Sequence, residues 1–250
     1  MRFLRFTVLL QSDHEGGKER TVRIVAPASK EGTLLESPPV LYLQDGQNVF
    51  SGWERSASET WCADVVVESL VTHGALEPWL LVAVDSDVSR DSDYSPWEGG
   101  GRYARFLVET LLPYIEARFG HRRGAEWTAV GGASLGGLIS LHLAHCFPTL
   151  FGRVAALSPT VMWAGGQLFR EWSAHTRRWS RLYLDAGANE VLYEGEKVFD
   201  YAQSVAAFWA HLKVLGYADH EVRLVLEPGG GHHERDWGRR LPEALRWLLA

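Results

Sequence analysis

Cysteine is scarce in this chain, which argues against a protein held together by disulfides or by cysteine-bound metal. Cys62 and Cys146 are the two cysteines among 250 residues, and both fall in apolar patterns typical of helices. We therefore expect two buried, free thiols instead of a disulfide. No Cys-x-x-Cys pair or cysteine–histidine cluster suggests a structural metal, so the sequence predicts no metal site.

Excess positive charge and long apolar runs are also lacking. The net charge of −6 leaves no basic stripe that could neutralise phosphates, which argues against a nucleic-acid partner. The longest apolar run near the N-terminus, residues 7–10, is too short for the core of a signal peptide, and no run reaches transmembrane length. We therefore expect a cytoplasmic protein without a membrane partner, and the sequence leaves its oligomeric state open.

What the chain does contain is a G-x-S-x-G pentapeptide, from Gly132 to Gly136, in an informative context. The pattern predicts a short buried strand over 126–131 and a buried helix over 135–146. Strand, tight turn and helix together indicate a nucleophile elbow, which exposes a serine, here Ser134, at a helix N-terminus that favours negative charge. The alternative is a glycine-rich turn in which this serine only caps the helix.

Strands and helices alternate along the chain, which predicts an α/β fold. The expected strands lie at about 2–10, 20–26, 40–43, 79–84, 126–131, 153–158, 181–185 and 221–226, and the expected helices at about 60–73, 102–119, 135–146, 167–177, 196–215 and 236–249. This order predicts a mostly parallel eight-stranded sheet with helices on both faces and an antiparallel pair at one edge. No repeat or linker interrupts it, so we expect one domain over 1–250.

A serine nucleophile needs a base and an acid, and in such a sheet both should follow strand ends, in the chain order serine, acid, histidine. The glycine-rich loop 227–234 after the last strand offers His232 and His233 as candidate bases. The loop after the seventh strand offers Asp185 and Glu190 as candidate acids. Position favours Glu190, which lies deeper in the loop, whereas Asp185 could instead bond the amides of its own loop.

An oxyanion hole should complete such a site. One donor is expected from the backbone N–H of Leu135, the residue after the nucleophile. The second is expected from the loop after the third strand, where Gly46 allows the backbone to turn and the amide of Gln47 is the candidate donor.

Tryptophan is abundant, with eleven in the chain. Four of them fall in predicted loops or at helix starts: Trp53, Trp97, Trp163 and Trp237. Aromatic side chains there either line a substrate cleft or anchor loops by packing. The loop 85–101, rich in Asp, Ser and Gly, is the best candidate for touching substrate, with a disordered surface loop as the alternative. The candidate substrate-contacting residues are Asp45, Tyr94, Trp97 and Trp163.

Taken together, these motifs resemble an esterase family of α/β-hydrolases that includes enterochelin esterases, feruloyl and acetyl-xylan esterases, S-formylglutathione hydrolases and mycolyltransferases. The resemblance spans about Val22 to Leu249. It is carried by five stretches: Leu41 to Phe50, Arg90 to Pro96, Gly132 to Gly137, Gly187 to Glu190, and Gly230 to Trp237. The register of the last stretch selects His232, and the fourth supports Glu190, although Ala188 replaces the family's threonine.

The resemblance implies an α/β-hydrolase fold and a serine carboxylic-ester hydrolase that works through an acyl-enzyme without a cofactor. The short segment 159–180 implies little or no lid and an open cleft, which suits bulky, sugar-linked, aromatic or siderophore-type esters. Some family members have a weak or absent acid, which leaves the choice between Glu190 and Asp185 open. The alternatives are an acyltransferase that uses the same residues and a non-catalytic, ligand-binding relative.

Overall fold

The computed structural model describes residues 1–53, 60–121, 124–173, 180–195 and 197–250. The strands are β1 (Arg2–Ser12), β2 (Lys18–Ala28), β3 (Val40–Gln44), β4 (Leu80–Val84), β5 (Thr128–Ala133), β6 (Arg153–Leu157), β7 (Arg181–Gly187), β8 (Val191–Glu194), β9 (Lys197–Asp200) and β10 (Val222–Glu227). The helices are α1 (Ala63–Thr72), α2 (Arg90–Tyr94), α3 (Gly101–Arg105), α4 (Leu112–Phe119), α5 (Leu135–Cys146), α6 (Trp163–Glu171), α7 (Tyr201–Val214) and α8 (Glu234–Leu249).

Eight strands form one sheet in the order β1-β2-β4-β3-β5-β6-β7-β10. The pairs β1–β2 and β2–β4 are antiparallel, and the pairs from β4 through β10 are parallel. The central strands β3, β4 and β5 are buried along their whole length, which explains their unbroken runs of apolar and small residues. The predicted mostly parallel sheet with an antiparallel edge is therefore confirmed.

Helices cover both faces of this sheet and divide the core into two halves. On one face Ile139 of α5 and Phe208 of α7 are fully buried. On the other face Val67 of α1 and Leu245 of α8 are fully buried. The carboxyl ends of the parallel strands meet at one edge, and the loops that leave this edge carry the predicted site residues.

The predicted helix at about 196–215 is partly wrong, because a two-stranded hairpin, β8–β9, precedes a shorter helix. Gly195 provides the positive φ of 61° at the hairpin turn. The Asp200 side chain then accepts a hydrogen bond from the backbone N–H of Gln203 at 2.9 Å and caps α7, so the helix begins at Tyr201. The helix start is therefore set by this local cap and not by the longer pattern of apolar residues that predicted it.

Two further expectations need correction. Both cysteines are free, as expected, but Cys146 is exposed and Cys62 is half-buried. Cys146 is the last residue of α5, where the helix leaves the core, so its apolar neighbours do not cover it. Residues 164–166 of α6 have positive φ, so its regular helix begins at Gln167, as expected for 167–177, but it ends earlier, at Glu171. Residues 174–179 lie outside the described part of the chain.

Candidate active site

Ser134 occupies the sharp turn between β5 and α5. Its backbone has φ 57° and ψ −125°, a conformation that is strained for a residue with a side chain. Its N–H donates to the carbonyl of Leu157 at 3.0 Å, which ties the turn to β6. A Cβ at position 132 would lie 2.5 Å from the carbonyl of Gly136, so only glycine at 132 permits a turn this tight. This geometry is that of the predicted elbow.

An imidazole–carboxylate pair lies at the same edge of the sheet. Nδ1 of His232, in the loop after β10, is 2.6 Å from Oε1 of Glu190, in the loop after β7. These loops touch where the backbone of Gly187 lies against the carbonyl of Gly230, and any side chain at 187 would overlap that carbonyl. Since a carboxylate only accepts, Nδ1 of the imidazole carries the proton of this hydrogen bond.

Glu190 is held as a carboxylate by several donors. Its second oxygen, Oε2, accepts from the backbone N–H of Gly187 at 2.6 Å and from the hydroxyl of Ser158 at 2.9 Å. Burial alone would raise the pKa of this buried carboxyl. The hydrogen bonds from His232, Gly187 and Ser158 outweigh that effect and lower the pKa of Glu190 below its ordinary value.

Ser158 links this carboxylate to α8. Its Oγ accepts from Trp237 Nε1–H at 3.1 Å and from Arg240 Nη2–H at 2.7 Å. Both partners can only donate, so they occupy the lone pairs of the hydroxyl, and its single proton points to Glu190. Sequence reasoning missed this residue, although its position directly after β6 places it at the carboxyl edge.

Asp185, the alternative acid, serves a different partner. It is fully buried; Oδ2 lies 3.0 Å from Arg240 Nε, and Oδ1 accepts from the backbone N–H of Ser158 at 3.0 Å. Burial raises the pKa of Asp185 to about 7, although Arg240 favours its ionised form. The structure therefore pairs His232 with Glu190 and leaves Asp185 in a structural ion pair.

Two aromatic rings orient His232. The ring of Tyr201, the first residue of α7, lies 4.3 Å from the imidazole between centroids, and Trp237 meets it edge-on at 4.9 Å. His233, by contrast, is the N-cap of α8 and accepts a hydrogen bond from the Arg235 N–H at 3.2 Å. Its side chain is 58% exposed, so this histidine faces solvent.

The hydroxyl of Ser134 has a polar neighbour other than the imidazole. Its Oγ lies 3.2 Å from Oγ1 of Thr160, which in turn lies 3.4 Å from the hydroxyl of Tyr201. Ser134 and His232 both belong to the described part of the chain, and no hydrogen bond joins their side chains there. Catalytic hydrogen bonds of this kind often tighten only when substrate binds.

The candidate oxyanion donors follow the ends of β5 and β3, which are neighbours in the sheet. Leu135 is the first residue of α5, so its N–H has no partner within the helix. Gln47 lies in a single helical turn, Gly46–Asn48, directly after β3. Its side chain is fixed by Ser86, which accepts from Nε2 at 2.7 Å and donates its N–H to Oε1 at 2.9 Å.

Asp45 and Tyr94 support this oxyanion loop. The Asp45 carboxylate accepts two hydrogen bonds from Arg90, at 2.7 Å and 2.9 Å, and its backbone N–H donates to the hydroxyl of Tyr94 at 3.0 Å. Asp45 itself has a positive φ of 57°, which this pairing stabilises. Asp45 and Tyr94 are both buried, so their side chains support the loop from inside and do not lie on the open surface of the cleft.

A cleft of about 150 Å³ opens in front of Ser134. Its lining residues are Arg90, Asp91, Ser134, Leu135, Thr160, Trp163, Phe199 and Tyr201. Trp163 thus lies where the sequence predicts it, with Nε1–H donating to the Ser95 hydroxyl at 3.0 Å. Trp97 does not line this cleft, because its Nε1–H donates to Glu171 at 2.7 Å between α5 and α6.

Within the described ranges, no group of three histidine, cysteine or acidic side chains is arranged to hold a metal ion. In the same part of the chain, no helix combines the length and apolar character needed to cross a bilayer.

The comparisons with known proteins place this geometry in a family. The family model described as "Putative esterase" matches residues 14–248. The chain belongs to this esterase family. The chain has a fold of the α/β-hydrolase type, as predicted.

Similar proteins agree with the family assignment. The uncharacterized protein YbbA of Bacillus subtilis (strain 168) is 22% identical over 95% of both chains. The enterobactin esterase of Shigella flexneri, solved in the presence of enterobactin, superposes with a TM-score of 0.77 at 21% identity over 97% of this chain. This esterase-family chain spans 58% of that enzyme's length. A ferulic acid esterase superposes with a TM-score of 0.77 at 19% identity over 99% of this chain and 98% of its own.

Proposed function

We propose that the chain is a serine carboxylic-ester hydrolase, a single domain over 1–250 that acts through an acyl-enzyme. The observation that carries the proposal is the hydrogen-bonded His232–Glu190 pair at the same sheet edge as the strained Ser134. In this proposal Ser134 is the nucleophile, His232 the general base and Glu190 the acid that orients it. Membership of the esterase family supports the reaction type.

The reaction would proceed by two acyl transfers. Ser134 Oγ turns about its single χ1 bond from Thr160 toward His232, which takes its proton as the oxygen attacks the ester carbonyl. The amides of Leu135 and Gln47 bind the developing oxyanion. His232 then protonates the departing alcohol, and water, activated by the same imidazole, releases the acid. No cofactor is required for these steps.

The cleft favours an ester with a planar or bulky group. Trp163, Phe199 and Tyr201 provide aromatic walls, and Arg90, which is paired with Asp45, lines one side together with Asp91. We therefore infer a bulky, aromatic, sugar-linked or siderophore-type ester as substrate. The names of the enterobactin and ferulic acid esterases among the similar structures support this class.

The decisive experiment compares Ser134→Ala with wild type. We would measure hydrolysis of p-nitrophenyl acetate and butyrate, together with covalent labelling by a fluorophosphonate probe. Ser140→Ala is the matched control, because Ser140 lies on the same helix and its hydroxyl bonds only the Gly136 carbonyl, at 2.7 Å. We expect activity and labelling to vanish in Ser134→Ala and to persist in Ser140→Ala.

The outcomes separate the candidate functions. A folded wild-type protein that neither hydrolyses these esters nor binds the probe would overturn the proposal and favour a ligand-binding relative. Labelling at Ser134 with product formed only when an alcohol acceptor is added would instead identify an acyltransferase.

A further inference from the structure

A second cluster of nucleophile, histidine and acid lies at the opposite end of α5 from Ser134. Sγ of Cys146, the last residue of the helix, is 3.4 Å from Nε2 of His142, one turn earlier. Nδ1 of His142 is 3.0 Å from Oε2 of Glu171, at the end of α6. The Trp97 Nε1–H donates to the other carboxylate oxygen, so the acid is fixed from two sides.

This cluster is separate from the candidate active site. The helix α5 has 12 residues, which places its two ends about 18 Å apart. Cys146 is exposed, whereas His142 and Glu171 are largely covered, with side-chain exposures of 13% and 16%. A small molecule can therefore reach the sulfur while the imidazole and carboxylate remain shielded.

The nucleophilic form of a thiol is the thiolate, and a neighbouring cation stabilises a thiolate in general. Burial opposes protonation of the imidazole, but the hydrogen bonds with Cys146 and Glu171 outweigh it and raise the pKa of His142 to about 9. The ring is then a cation at neutral pH, in contact with the sulfur. The carbonyl groups at the C-terminal end of α5 disfavour a negative charge on the sulfur. They also stabilise the positive charge of the His142 ring, and that ring is in direct contact with the sulfur.

We propose that Cys146 is an activated thiol that forms a mixed disulfide with small disulfides. Its thiolate attacks one sulfur of the disulfide; a new S–S bond forms to Cys146, the original S–S bond breaks, and the electron pair leaves on the second sulfur as a thiolate. His142 stabilises the attacking thiolate, and Glu171 keeps the imidazole protonated and oriented. The disulfide is the oxidant, and the exchange needs no other reagent.

The test follows modification by dithiodipyridine, a neutral disulfide, at pH 7. Release of the thione gives the rate, and mass spectrometry assigns it to Cys146 or to Cys62, the half-buried internal control. An ordinary thiol, with a pKa of about 8.5, is only about 3% ionised at this pH. A larger ionised fraction raises the rate of exchange, whereas the lower nucleophilicity of a stabilised thiolate offsets part of that gain. We therefore expect Cys146 to react about 10-fold faster than the same thiol in the urea-unfolded chain.

Variants locate the origin of the effect. His142→Gln removes the cation and should return Cys146 to the rate of the unfolded chain; Glu171→Gln should produce a smaller fall. If circular dichroism shows that His142→Gln does not fold, the rate measured for Glu171→Gln decides whether the proposal holds. Equal rates in wild type and the folded variants, or preferential modification of Cys62, would overturn the proposal. Ester hydrolysis is measured in parallel, and its presence or absence does not bear on this result.

Discussion

The two ends of α5 carry the same three kinds of group in two different settings. At its N-terminus lie Ser134, His232 and Glu190; at its C-terminus lie Cys146, His142 and Glu171. In both clusters Nδ1 of the histidine contacts the glutamate, at 2.6 Å and at 3.0 Å. The acid–base pair is therefore not what distinguishes them.

The helix end makes the difference. The N-terminus of α5 presents free N–H groups beside Ser134, and the strained backbone of that residue places its side chain at the sheet edge. The C-terminus presents carbonyl groups beside Cys146, which repel the oxyanion of an acyl-transfer intermediate. A nucleophile, a histidine and an acid thus fit acyl transfer at one end and only thiol exchange at the other.

The largest contrast is expected from the two histidines. We predict that His232→Gln lowers kcat for ester hydrolysis by about 10⁵-fold, because the general base is lost. His142→Gln, the same substitution at the other end of α5, should leave it within about 3-fold, as expected for a residue remote from the reacting atoms. Steady-state kinetics on p-nitrophenyl butyrate measures both. A similar loss in both variants would mean that the clusters are not independent.

The two glutamates give the next test. We predict that Glu190→Gln lowers kcat about 10³-fold, because the amide disturbs the tautomer and charge balance of His232. Glu171→Gln is the matched control and should have little effect on this rate.

Asp185→Asn completes that comparison. Asp185 contacts Arg240 and not the imidazole, so its replacement should cost less than about 10-fold in kcat. If Asp185→Asn proved more damaging than Glu190→Gln, the assignment of the acid would be reversed.

A smaller effect is expected at Ser158. Ser158→Ala removes one donor to Glu190 and the acceptor used by Trp237 Nε1–H and by Arg240 Nη2–H. We predict a loss of about 10-fold in kcat with little change in KM, since the cost of one hydrogen bond to a charged group is of that order. Ser140→Ala again serves as control. A change confined to KM would show that Ser158 acts on substrate binding instead.

The smallest effect concerns stability. The pKa of His142 rises from 6.5 to about 9 on folding, so its contribution to stability is fully present below pH 6.5 and is lost as pH rises through 9. We predict that His142→Gln lowers the free energy of unfolding by roughly 1–3 kcal/mol near pH 6, and that the difference shrinks toward pH 10. Urea unfolding at both pH values measures it; a difference independent of pH would contradict the ion pair.

Much of the fold follows from local pattern. The eight sheet strands and the elbow helix were predictable from their patterns of apolar residues. The central strands β3 and β4 are continuous apolar runs, whereas the edge strand β1 alternates between exposed and half-buried residues. The hairpin β8–β9 was not, since its residues fit the helical period of α7 and only the Asp200 cap moves the helix start to Tyr201. The cytoplasmic location and the catalytic roles stay predictions.

The sequence alone predicted that Ser134 lies in an elbow, because a strand, two close glycines and a helix favour that turn, and the backbone angles at Ser134 distinguish it from a simple helix cap. It also narrowed the base to one loop and the acid to two carboxyls. Only the tertiary structure paired His232 with Glu190. Asp185, in strand β7, contacts Arg240 of α8, whereas the loop that follows β7 brings Glu190 to the imidazole. The contacts of Ser158 likewise join elements distant in sequence, which no local pattern encodes. In the second cluster the Cys146–His142 pair is local to α5, and only the contact with Glu171 depends on the tertiary structure.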